Sequence, residues 1–422
     1  MAPGPRSGAE RAAQLFRVAE PLEVHVRYYG RGAGPEAYAV VSAGEDPPAD
    51  DAGGRLALRL EPGASYLANS PVFFAALRLH HQERRRSGLP GVAQVLSAER
   101  QAAALGRPGM PARLGRGGEA LAPFLARAAG RQERLRVAVA NIWHLAFGDA
   151  LAGLCALREL RAALEARFAR VELTLFQHRC NAEAEQLFRR SGVVDEVRFL
   201  PAPLAALAEH DAWVDVSGVR VSPREHWVDQ CLAALGMDPA AVPAARKRLR
   251  VPAAPWAARE LAAEVAALKA EGGPVLLFHP QASLPARSFP ADAAAAFARA
   301  LLERTGARVA SAVPLAVDHP RFVDWSPLSR TFDHFAFLVS QADGVVSVDT
   351  CAYHLADAFD VPAVALFTPA VPPETRIAYS PRVAGITVAP ERPGGAPAWE
   401  RLDAGRVLAA LASCRPCRLP SA

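Results

Sequence analysis

One segment near the carboxyl terminus restricts the fold more than any other part of this sequence. The apolar run Val345–Val348 is followed by Asp349 and Thr350, then by a short amphipathic stretch and a second apolar run, Val361–Phe367. Continuous aliphatic runs are typical of strands buried on both faces of a parallel sheet, so we predict a strand, a turn, a helix and a strand here. Open α/β sheets bind ligands at the carboxyl ends of their strands. The helix that starts there offers unpaired N–H groups to an anion such as a diphosphate.

The same alternation of strands and helices occurs in two series along the chain. The first series begins with the predicted strand Leu135–Ala140 and the predicted helix Gly148–Arg170. The second begins with the predicted strand Val275–Phe278 and the predicted helix Ala291–Arg304. Repeated βα units predict doubly wound parallel sheets, and two such series predict two Rossmann-like domains facing a cleft.

Residues before position 130 follow a different pattern. Leu22–Tyr29, Tyr38–Ser42 and Arg55–Leu60 resemble strands, and turns rich in Gly, Pro and Asp separate them. A helix is predicted over Pro71–Arg86. We therefore expect a small β-rich region followed by helical segments, and no catalytic constellation is visible in it.

The boundary between the two series is predicted from composition. Pro239–Pro255 is rich in Pro and Arg, and a predicted helix follows it before Gly272-Gly273-Pro274, so we interpret this stretch as a linker. The predicted organisation is an amino-terminal accessory region, an amino-terminal Rossmann-like domain, a carboxyl-terminal Rossmann-like domain, and a closing helix with a tail. In that order their bounds are 1–130, 131–255, 272–395 and 396–422.

Composition restricts the class of protein. The 422 residues are 51% hydrophobic and 22% charged, which is typical of a folded chain with room for two or three domains. The net charge of +5 is modest and favours acidic partners such as a nucleotide or a membrane surface. The arginines are dispersed without an aromatic–basic module, so we expect no nucleic acid. Neither a signal peptide nor a stretch of the ~18–20 apolar residues that cross a membrane is visible, so a cytoplasmic location is expected.

Six scattered cysteines do not form a disulfide framework in a chain of this length. Cys414 and Cys417 have the spacing of metal ligands, but a structural metal site requires four ligands and the sequence has only this one pair. We therefore predict no metal, and the role of this pair stays open.

The loop between the first strand and helix of the first series carries candidate catalytic residues. Gly148 permits a close backbone approach, and Asp149 follows it at the predicted start of the helix. Asp149 is either a helix cap or a general base that removes a proton from an attacking hydroxyl, and both readings remain open. His144 on the same loop is an alternative base.

Two further loops carry candidate phosphate ligands. In the loop after Val275–Phe278, Ser283 and Arg287 are able to bind diphosphate oxygens, because a guanidinium offers planar bidentate donors and a hydroxyl adds one more. The alternative interpretation of this segment is a plain βα loop with a surface Arg. In the opening motif, Asp349 is a cap or a ligand residue, and Thr350 is a second hydroxyl donor. His354 is a ligand residue or an ordinary core histidine.

Together the three patterns resemble glycosyltransferase family 9, the bacterial ADP-heptose lipopolysaccharide heptosyltransferases and their relatives. The resemblance spans roughly residues 135–415 and rests on three ordered motifs. They are Gly148-Asp149, His279-Pro280-Gln281-Ala282-Ser283 with Arg287-Ser288-Phe289-Pro290, and Asp349-Thr350-Cys351-Ala352-Tyr353-His354-Leu355. The resemblance implies a GT-B fold with two Rossmann-like domains, and a nucleotide-sugar donor held by the carboxyl-terminal domain. It also implies a glycan, lipopolysaccharide or protein acceptor held by the amino-terminal domain. Inverting transfer without a metal or other cofactor would follow, in a cytoplasmic protein that associates at most peripherally with the inner membrane.

By the same resemblance, each site residue has an expected role. Asp149 would be the catalytic base, with His144 and Gly148 on the acceptor side. The donor nucleotide-sugar and its phosphates would bind to Ser283, Arg287, Asp349, Thr350, Cys351 and His354.

Two departures from the family pattern keep other functions open. The family has a glycine at the position of Cys351, so the side chain there would change donor geometry or abolish binding. The loop before Gly148 carries the bulky Trp143, His144 and Phe147, which leaves the acceptor undefined. The alternatives are a catalytically inactive scaffold that binds or assembles partners, and a sugar-nucleotide epimerase of similar fold.

Overall fold

The structure is a computed structural model that divides into two compact units. Unit 1 comprises the described residues of Met1–Val221 and Trp227–Val242, and unit 2 those of Ser222–His226 and Pro243–Ala422. The described residues are 14–26, 38–42, 56–68, 71–115, 118–128, 133–141, 146–178, 182–216, 222, 224–251, 259–270, 273–392 and 395–414.

The amino-terminal part of unit 1 is rich in short strands. Its elements are β1 (Gln14–Val18), β2 (Leu22–Val26), β3 (Tyr38–Ser42), β4 (Leu56–Leu60), β5 (Ser65–Ala68), α1 (Pro71–Arg86), β6 (Ala93–Val95), α2 (Ala98–Leu105), β7 (Ala112–Leu114) and α3 (Leu121–Ala128). Strands β3, β2 and β4 form one antiparallel sheet in that order. Phe16, Phe73 and Phe74 pack together with ring centroids 5.2–5.9 Å apart and form much of the core here. The predicted β-rich region is confirmed.

The remainder of unit 1 alternates between strands and helices. Its elements are β8 (Arg134–Ala140), α4 (Phe147–Glu165), β9 (Arg170–Gln177), α5 (Ala182–Arg190), β10 (Glu196–Phe199), β11 (Ala202–Pro203), α6 (Leu204–Ala208), β12 (Ala212–Asp215) and α7 (Trp227–Ala234). Five strands form a parallel sheet in the order β10-β9-β8-β12-β7. The aliphatic interior of β8 and β9 is buried, as expected for central strands of a parallel sheet.

The accessory region is joined to this parallel sheet rather than separate from it. Strand β7 is its edge strand, and β11 in turn pairs antiparallel with β5 in a four-stranded sheet of order β11-β5-β1-β6. Leu15 and Leu67 share one buried cluster with Phe176 and Trp213 of the parallel sheet. Apolar side chains on both sides of the predicted boundary at residue 130 are therefore buried against each other, and the domain bounds stay a prediction.

Unit 2 contains a second parallel sheet. Its elements are α8 (Arg259–Ala270), β13 (Val275–His279), α9 (Ala291–Arg304), β14 (Arg308–Ser311), β15 (Phe322–Asp324), α10 (Phe332–Gln341), β16 (Gly344–Val348), α11 (Cys351–Ala358), β17 (Ala363–Phe367), α12 (Pro373–Arg376), β18 (Val383–Thr387) and α13 (Ala404–Ser413). Six strands pair in parallel in the order β15-β14-β13-β16-β17-β18. Strands β13, β16 and β17 are buried at every residue. The predicted α/β class is confirmed, and the predicted cleft stays a prediction.

Part of the predicted linker belongs to unit 2. Lys247 is buried and donates from Nζ to the hydroxyl of Tyr379 over 3.1 Å. In α8, Lys269 donates to the carbonyl oxygen of Gln341 over 2.8 Å. Both lysines are thus bonded to residues of unit 2, in agreement with the start of its second segment at Pro243.

Within the described residues, no helix is both long enough and apolar enough to cross a membrane.

Candidate functional site

Two predicted phosphate loops meet at the carboxyl edge of the unit 2 sheet. Strands β13 and β16 are hydrogen-bonded neighbours, and His279 at the end of β13 is paired with Ser347 of β16. Because the strands are parallel, the chain leaving β13 and the chain entering α11 emerge side by side. The sequence-predicted residues Ser283, Arg287 and Asp349 are brought together there.

Arg287 joins the two loops. Its Nη1 donates to Asp349 Oδ2 over 2.9 Å, and its Nη2 donates to Ser283 Oγ over 3.2 Å. The Asp349 side chain is 12% exposed and that of Arg287 is 27% exposed. Arg287 Nε is buried and has no hydrogen-bond partner among the described residues. The reading of Arg287 as a plain surface arginine is therefore wrong, since its guanidinium is held in a polar cluster at the sheet edge.

Tyr353 is a member of this cluster that the sequence reasoning missed. Its hydroxyl makes a long contact of 3.5 Å with Asp349 Oδ1. Burial, with the nearby Asp349 carboxylate as the second cause, raises the pKa of Tyr353 well above its usual value. The Tyr353 hydroxyl thus stays protonated and donates to Asp349. A tyrosine four residues after an aspartate that precedes a helix is the only sequence signal, and such tyrosines are common in cores.

Asp349 does not cap helix α11. The N-cap residue is Thr350, in extended conformation, and its side chain makes no capping hydrogen bond. The Asp349 carboxylate is bound by Arg287 and Tyr353 instead. The cap interpretation of Asp349 is therefore wrong, and the first N–H groups of α11 receive no bond from the Thr350 side chain.

His354 is half-buried and neutral. Its ring lies 3.9 Å from that of Tyr353 between centroids, so it does approach the Asp349 cluster. Burial, with the positive charges of His226, Arg376 and Arg287 as the lesser causes, lowers the pKa of His354 to about 3. Three positively charged or protonatable groups therefore lie near the first turns of α11. His226 and Arg376 were not predicted, because they are distant in sequence from all three motifs.

The cluster is suited to an anion. Helix α11 has eight residues and presents its positive dipole end beside Arg287. Cys351 is its first residue, is half-buried, and accepts from the Thr350 hydroxyl over 3.9 Å. A phosphate placed at this helix end would meet backbone N–H groups, the Thr350 hydroxyl and a guanidinium, all of which are donors.

The candidate base Asp149 lies in the first turn of α4, at the carboxyl edge of the unit 1 sheet. The N-cap of α4 is Ala146, so the interpretation of Asp149 as the capping residue is wrong. Asp149 is half-buried, and Gly148 beside it is buried. The Cys231 thiol of α7 has a pKa well above its usual value, mainly because of burial and also because Asp149 is nearby. His144 lies outside the described residues.

A second polar group that was not predicted lies at the same edge of unit 1. Asn141 follows β8 directly, and its Nδ2 donates to Asp215 Oδ1, at the end of β12, over 3.4 Å. Asn141 has a φ of 65°, a left-handed conformation that Asn tolerates better than most residues. The only sequence signal was an Asn at the end of an apolar run.

Among the residues that the structure describes, no group of three or more His, Cys, Asp or Glu side chains could hold a metal ion. The Cys414 thiol is buried and donates to the carbonyl oxygen of Ala363 over 3.6 Å. Cys417 lies outside the described residues.

One of the three motifs lies in a region that matches a known protein family. Residues 328–394 match the family model of glycosyltransferase family 9 (heptosyltransferase). This match contains Asp349, Thr350, Cys351 and His354 but not Ser283 or Arg287. A sequence search of curated proteins gives no match.

Several solved structures resemble the chain at low sequence identity. A family 9 glycosyltransferase from Veillonella parvula is 13% identical with a TM-score of 0.47, and the alignment covers 66% of this chain and 97% of that one. The ADP-heptose lipopolysaccharide heptosyltransferase II of E. coli is 16% identical with a TM-score of 0.46, covering 66% and 98%. The E. coli heptosyltransferase WaaC with ADP is 15% identical with a TM-score of 0.43, covering 65% and 98%. The α/β class rests on the two parallel sheets described above, and over residues 328–394 the chain resembles glycosyltransferase family 9 (heptosyltransferase).

Proposed function

We propose that this chain is a glycosyltransferase that moves a heptose-like sugar from a nucleoside-diphosphate donor to a hydroxyl group of an acceptor. One observation carries the proposal. The family 9 match covers the Asp349–His354 segment, and the structure holds Arg287 and Ser283, from another loop, against this segment. Residues from two of the three motifs that resemble the family are thus assembled at one sheet edge.

Unit 2 supplies the donor site in this proposal. The diphosphate binds at the amino-terminal end of α11, where Arg287, Ser283, Thr350 and the first N–H groups donate to its oxygens. Asp349, which also accepts from the Tyr353 hydroxyl, holds the Arg287 guanidinium in place before the donor arrives. Similar proteins are described with ADP and with an ADP-heptose analogue, which supports a nucleoside diphosphate as the ligand class.

The proposed reaction is an inverting displacement without a metal. The acceptor oxygen forms a bond to the anomeric carbon while the bond from that carbon to the diphosphate oxygen breaks. The Asp149 carboxylate takes the proton of the acceptor hydroxyl, and the nucleoside diphosphate leaves with the electron pair. Arg287 and the dipole of α11 stabilise the negative charge that develops on it.

The acceptor is proposed to be a glycan, a lipopolysaccharide or a protein, and the site of action the cytoplasm or the inner-membrane surface. The net charge of +5 is compatible with an anionic surface.

Donor binding is tested by thermal shift with ADP, UDP, GDP, TDP and CMP. A ligand that binds the native state raises the unfolding temperature by mass action, and we expect one nucleoside diphosphate to do so. Arg287→Ala should abolish this rise. Arg304→Ala is the matched control, because Arg304 forms an exposed ion pair with Asp403 elsewhere in unit 2. Equal shifts in all three proteins would exclude the proposed donor site.

The base is tested separately with Asp149→Asn. Removing a general base should lower the transfer rate by about 10²–10⁴-fold while leaving nucleotide binding in unit 2 unchanged. Full turnover of the variant would rule out Asp149 as the base, and unchanged activity in EDTA would support the metal-independent mechanism.

A second candidate function rests on Cys351. This residue places a side chain at the first position of α11, where the family has glycine and a diphosphate would approach. If the Cys351 side chain prevents productive donor binding, the chain is an inactive scaffold that binds partners. Nucleotide binding without transfer to any acceptor would favour this function, whereas conversion of the donor alone would indicate an epimerase.

A further inference from the structure

Three neighbouring strands of unit 1 end in polar side chains at one level of the sheet. Ala140 of β8 pairs with Phe176 of β9 and with Asp215 of β12. The next residues, Asn141 and Gln177, therefore end adjacent strands, which lie about 4.8 Å apart in any sheet. The Asn141 amide N–H also donates to the Phe176 carbonyl oxygen over 2.8 Å. Asn141, Gln177 and Asp215 thus form one polar group at the carboxyl edge.

Two oxygen atoms of this group are buried without a hydrogen bond. Asn141 is 4% exposed, Gln177 is 1% exposed and Asp215 is 7% exposed. Neither Asn141 Oδ1 nor Gln177 Oε1 has a partner among the described residues. Buried amide oxygens are nearly always paired, because leaving one unpaired costs more than the bond itself contributes. Two such atoms on adjacent strand ends indicate a missing hydrogen-bond donor.

The backbone at Asn141 is a separate observation that points the same way. Its φ of 65° lies in the left-handed region, and its side chain is fixed by the bond to Asp215. Conformations of this kind cost free energy and occur often at binding sites, where the surrounding contacts maintain them. The side-chain amide of Asn141 is therefore held in one orientation, in which its Oδ1 has no hydrogen-bond partner among the described residues.

We propose that Asn141, Gln177 and Asp215 form a binding site for the hydroxyl groups of a neutral sugar. In the proposed function, on which this reading of the ligand rests, that sugar belongs to the acceptor. The atoms that lack partners are acceptors, so the ligand supplies O–H donors. The nearby Asp215 carboxylate disfavours an anion, in contrast to the arginine-containing edge of unit 2. The two sheet edges thus select opposite ligand chemistries.

The test uses saturation-transfer NMR on the full chain with mannose, glucose and galactose as probes, and mannose 6-phosphate for comparison. We expect the neutral sugars to bind the wild type, and to bind about 3- to 10-fold more weakly in Gln177→Met and in Asn141→Gly, since each variant loses one hydrogen bond. Glycine keeps the left-handed backbone without strain. Thr174→Val, a buried substitution on the same strand β9, should bind sugars like the wild type.

Thermal unfolding of the same variants separates a ligand site from a structural role. If Gln177 Oε1 is unpaired in the free protein, Gln177→Met should be at least as stable as the wild type, because an unpaired buried oxygen is replaced by an apolar group of similar size. A loss of stability would show that a buried water already pairs with this oxygen and would overturn the proposal. Absence of binding by all three neutral sugars, or equal binding by the variants, would overturn it as well.

The nucleotide assay keeps this proposal distinct from the proposed function. Sugar binding that depends on Gln177, in a protein that binds no nucleoside diphosphate, would remove the glycosyltransferase function and retain the sugar site. Nucleotide binding that depends on Arg287, without sugar binding, would remove the sugar site alone.

Discussion

Asp357, in the last turn of helix α11, should make the stability of unit 2 depend on pH. The residue is 1% exposed, and Ser380 Oγ donates to its Oδ2 over 2.8 Å. Its other oxygen lies 3.6 Å from Arg248 Nε, which is too far for a hydrogen bond. Burial raises the pKa of Asp357 from 3.8 to about 6, although the Ser380 hydrogen bond and the charge of Arg248 oppose the shift. The folded state thus binds the proton more tightly than the unfolded chain.

The size and sign of the effect follow from the two pKa values. A difference of about two units corresponds to about 3 kcal/mol, since one unit is worth about 1.4 kcal/mol. Between pH 3.8 and about 6 the folded state holds more protons than the unfolded state, so the contribution of this group to stability falls as pH rises through that window. Above about pH 6, the ionised Asp357 destabilises unit 2 by up to about 3 kcal/mol.

Asp357→Asn isolates this contribution, because asparagine resembles the protonated acid in shape and keeps an oxygen for Ser380. We expect the variant to be more stable than the wild type by up to about 3 kcal/mol at pH 7.5, and equal to it near pH 4. Denaturant unfolding at several pH values measures the difference, in which the other carboxylates cancel. A variant that is less stable at pH 7.5 would refute the reasoning, since it would show that Arg248 keeps Asp357 ionised with a normal or lowered pKa.

Three further substitutions test the packing of the units and the donor helix. Gly115→Ala should destabilise unit 1 by about 2–5 kcal/mol in denaturant unfolding, because its φ is +73° and the new Cβ would lie 2.3 Å from a backbone oxygen of α7. Gly63→Ala is the control and should cost less, because Gly63 has a similar φ of +81° but open space around its Cα. Leu67→Ala should cost about 2–5 kcal/mol, whereas Leu79→Ala, 60% exposed, should cost little; equal effects would show that the accessory strands do not share the core. Cys351→Gly should tighten nucleotide binding in the thermal-shift assay, and an unchanged or smaller shift would show that the thiol does not obstruct the site.

Much of the fold is readable from the sequence where local signals agree with packing. The helix predicted over Ala291–Arg304 has the predicted bounds, with Pro290 before it and Thr305 in extended conformation after it. The helix predicted over Gly148–Arg170 instead ends at Glu165, and Arg170 already belongs to β9. The sequence does not show this end, because no Gly or Pro follows Glu165 to mark it. Strand β7 has three residues and no periodicity, so only the assembled sheet reveals it.

The sequence also predicts part of the candidate site, namely the contacts that follow from sheet topology. The pairing of Arg287 with Asp349 follows from two loops that leave neighbouring parallel strands, which is a consequence of topology. The contact of Tyr353 with Asp349 depends on side-chain orientation, and the left-handed backbone of Asn141 depends on the turn it enters. Neither has a sequence pattern of its own, since both residues are ordinary at such positions.

The strand pairings of unit 1 impose an order on its synthesis. Leu67 of β5 pairs with Ala202, and Ala112 of β7 pairs with Ala212. While the ribosome is still making the residues between them, both early strands have open edges, and open edges favour association with other chains. A nascent chain stopped before position 202 would expose both edges at once. The accessory region is thus synthesised first, but its strand pairing is completed last. Its solubility during synthesis depends on strands that are translated after it.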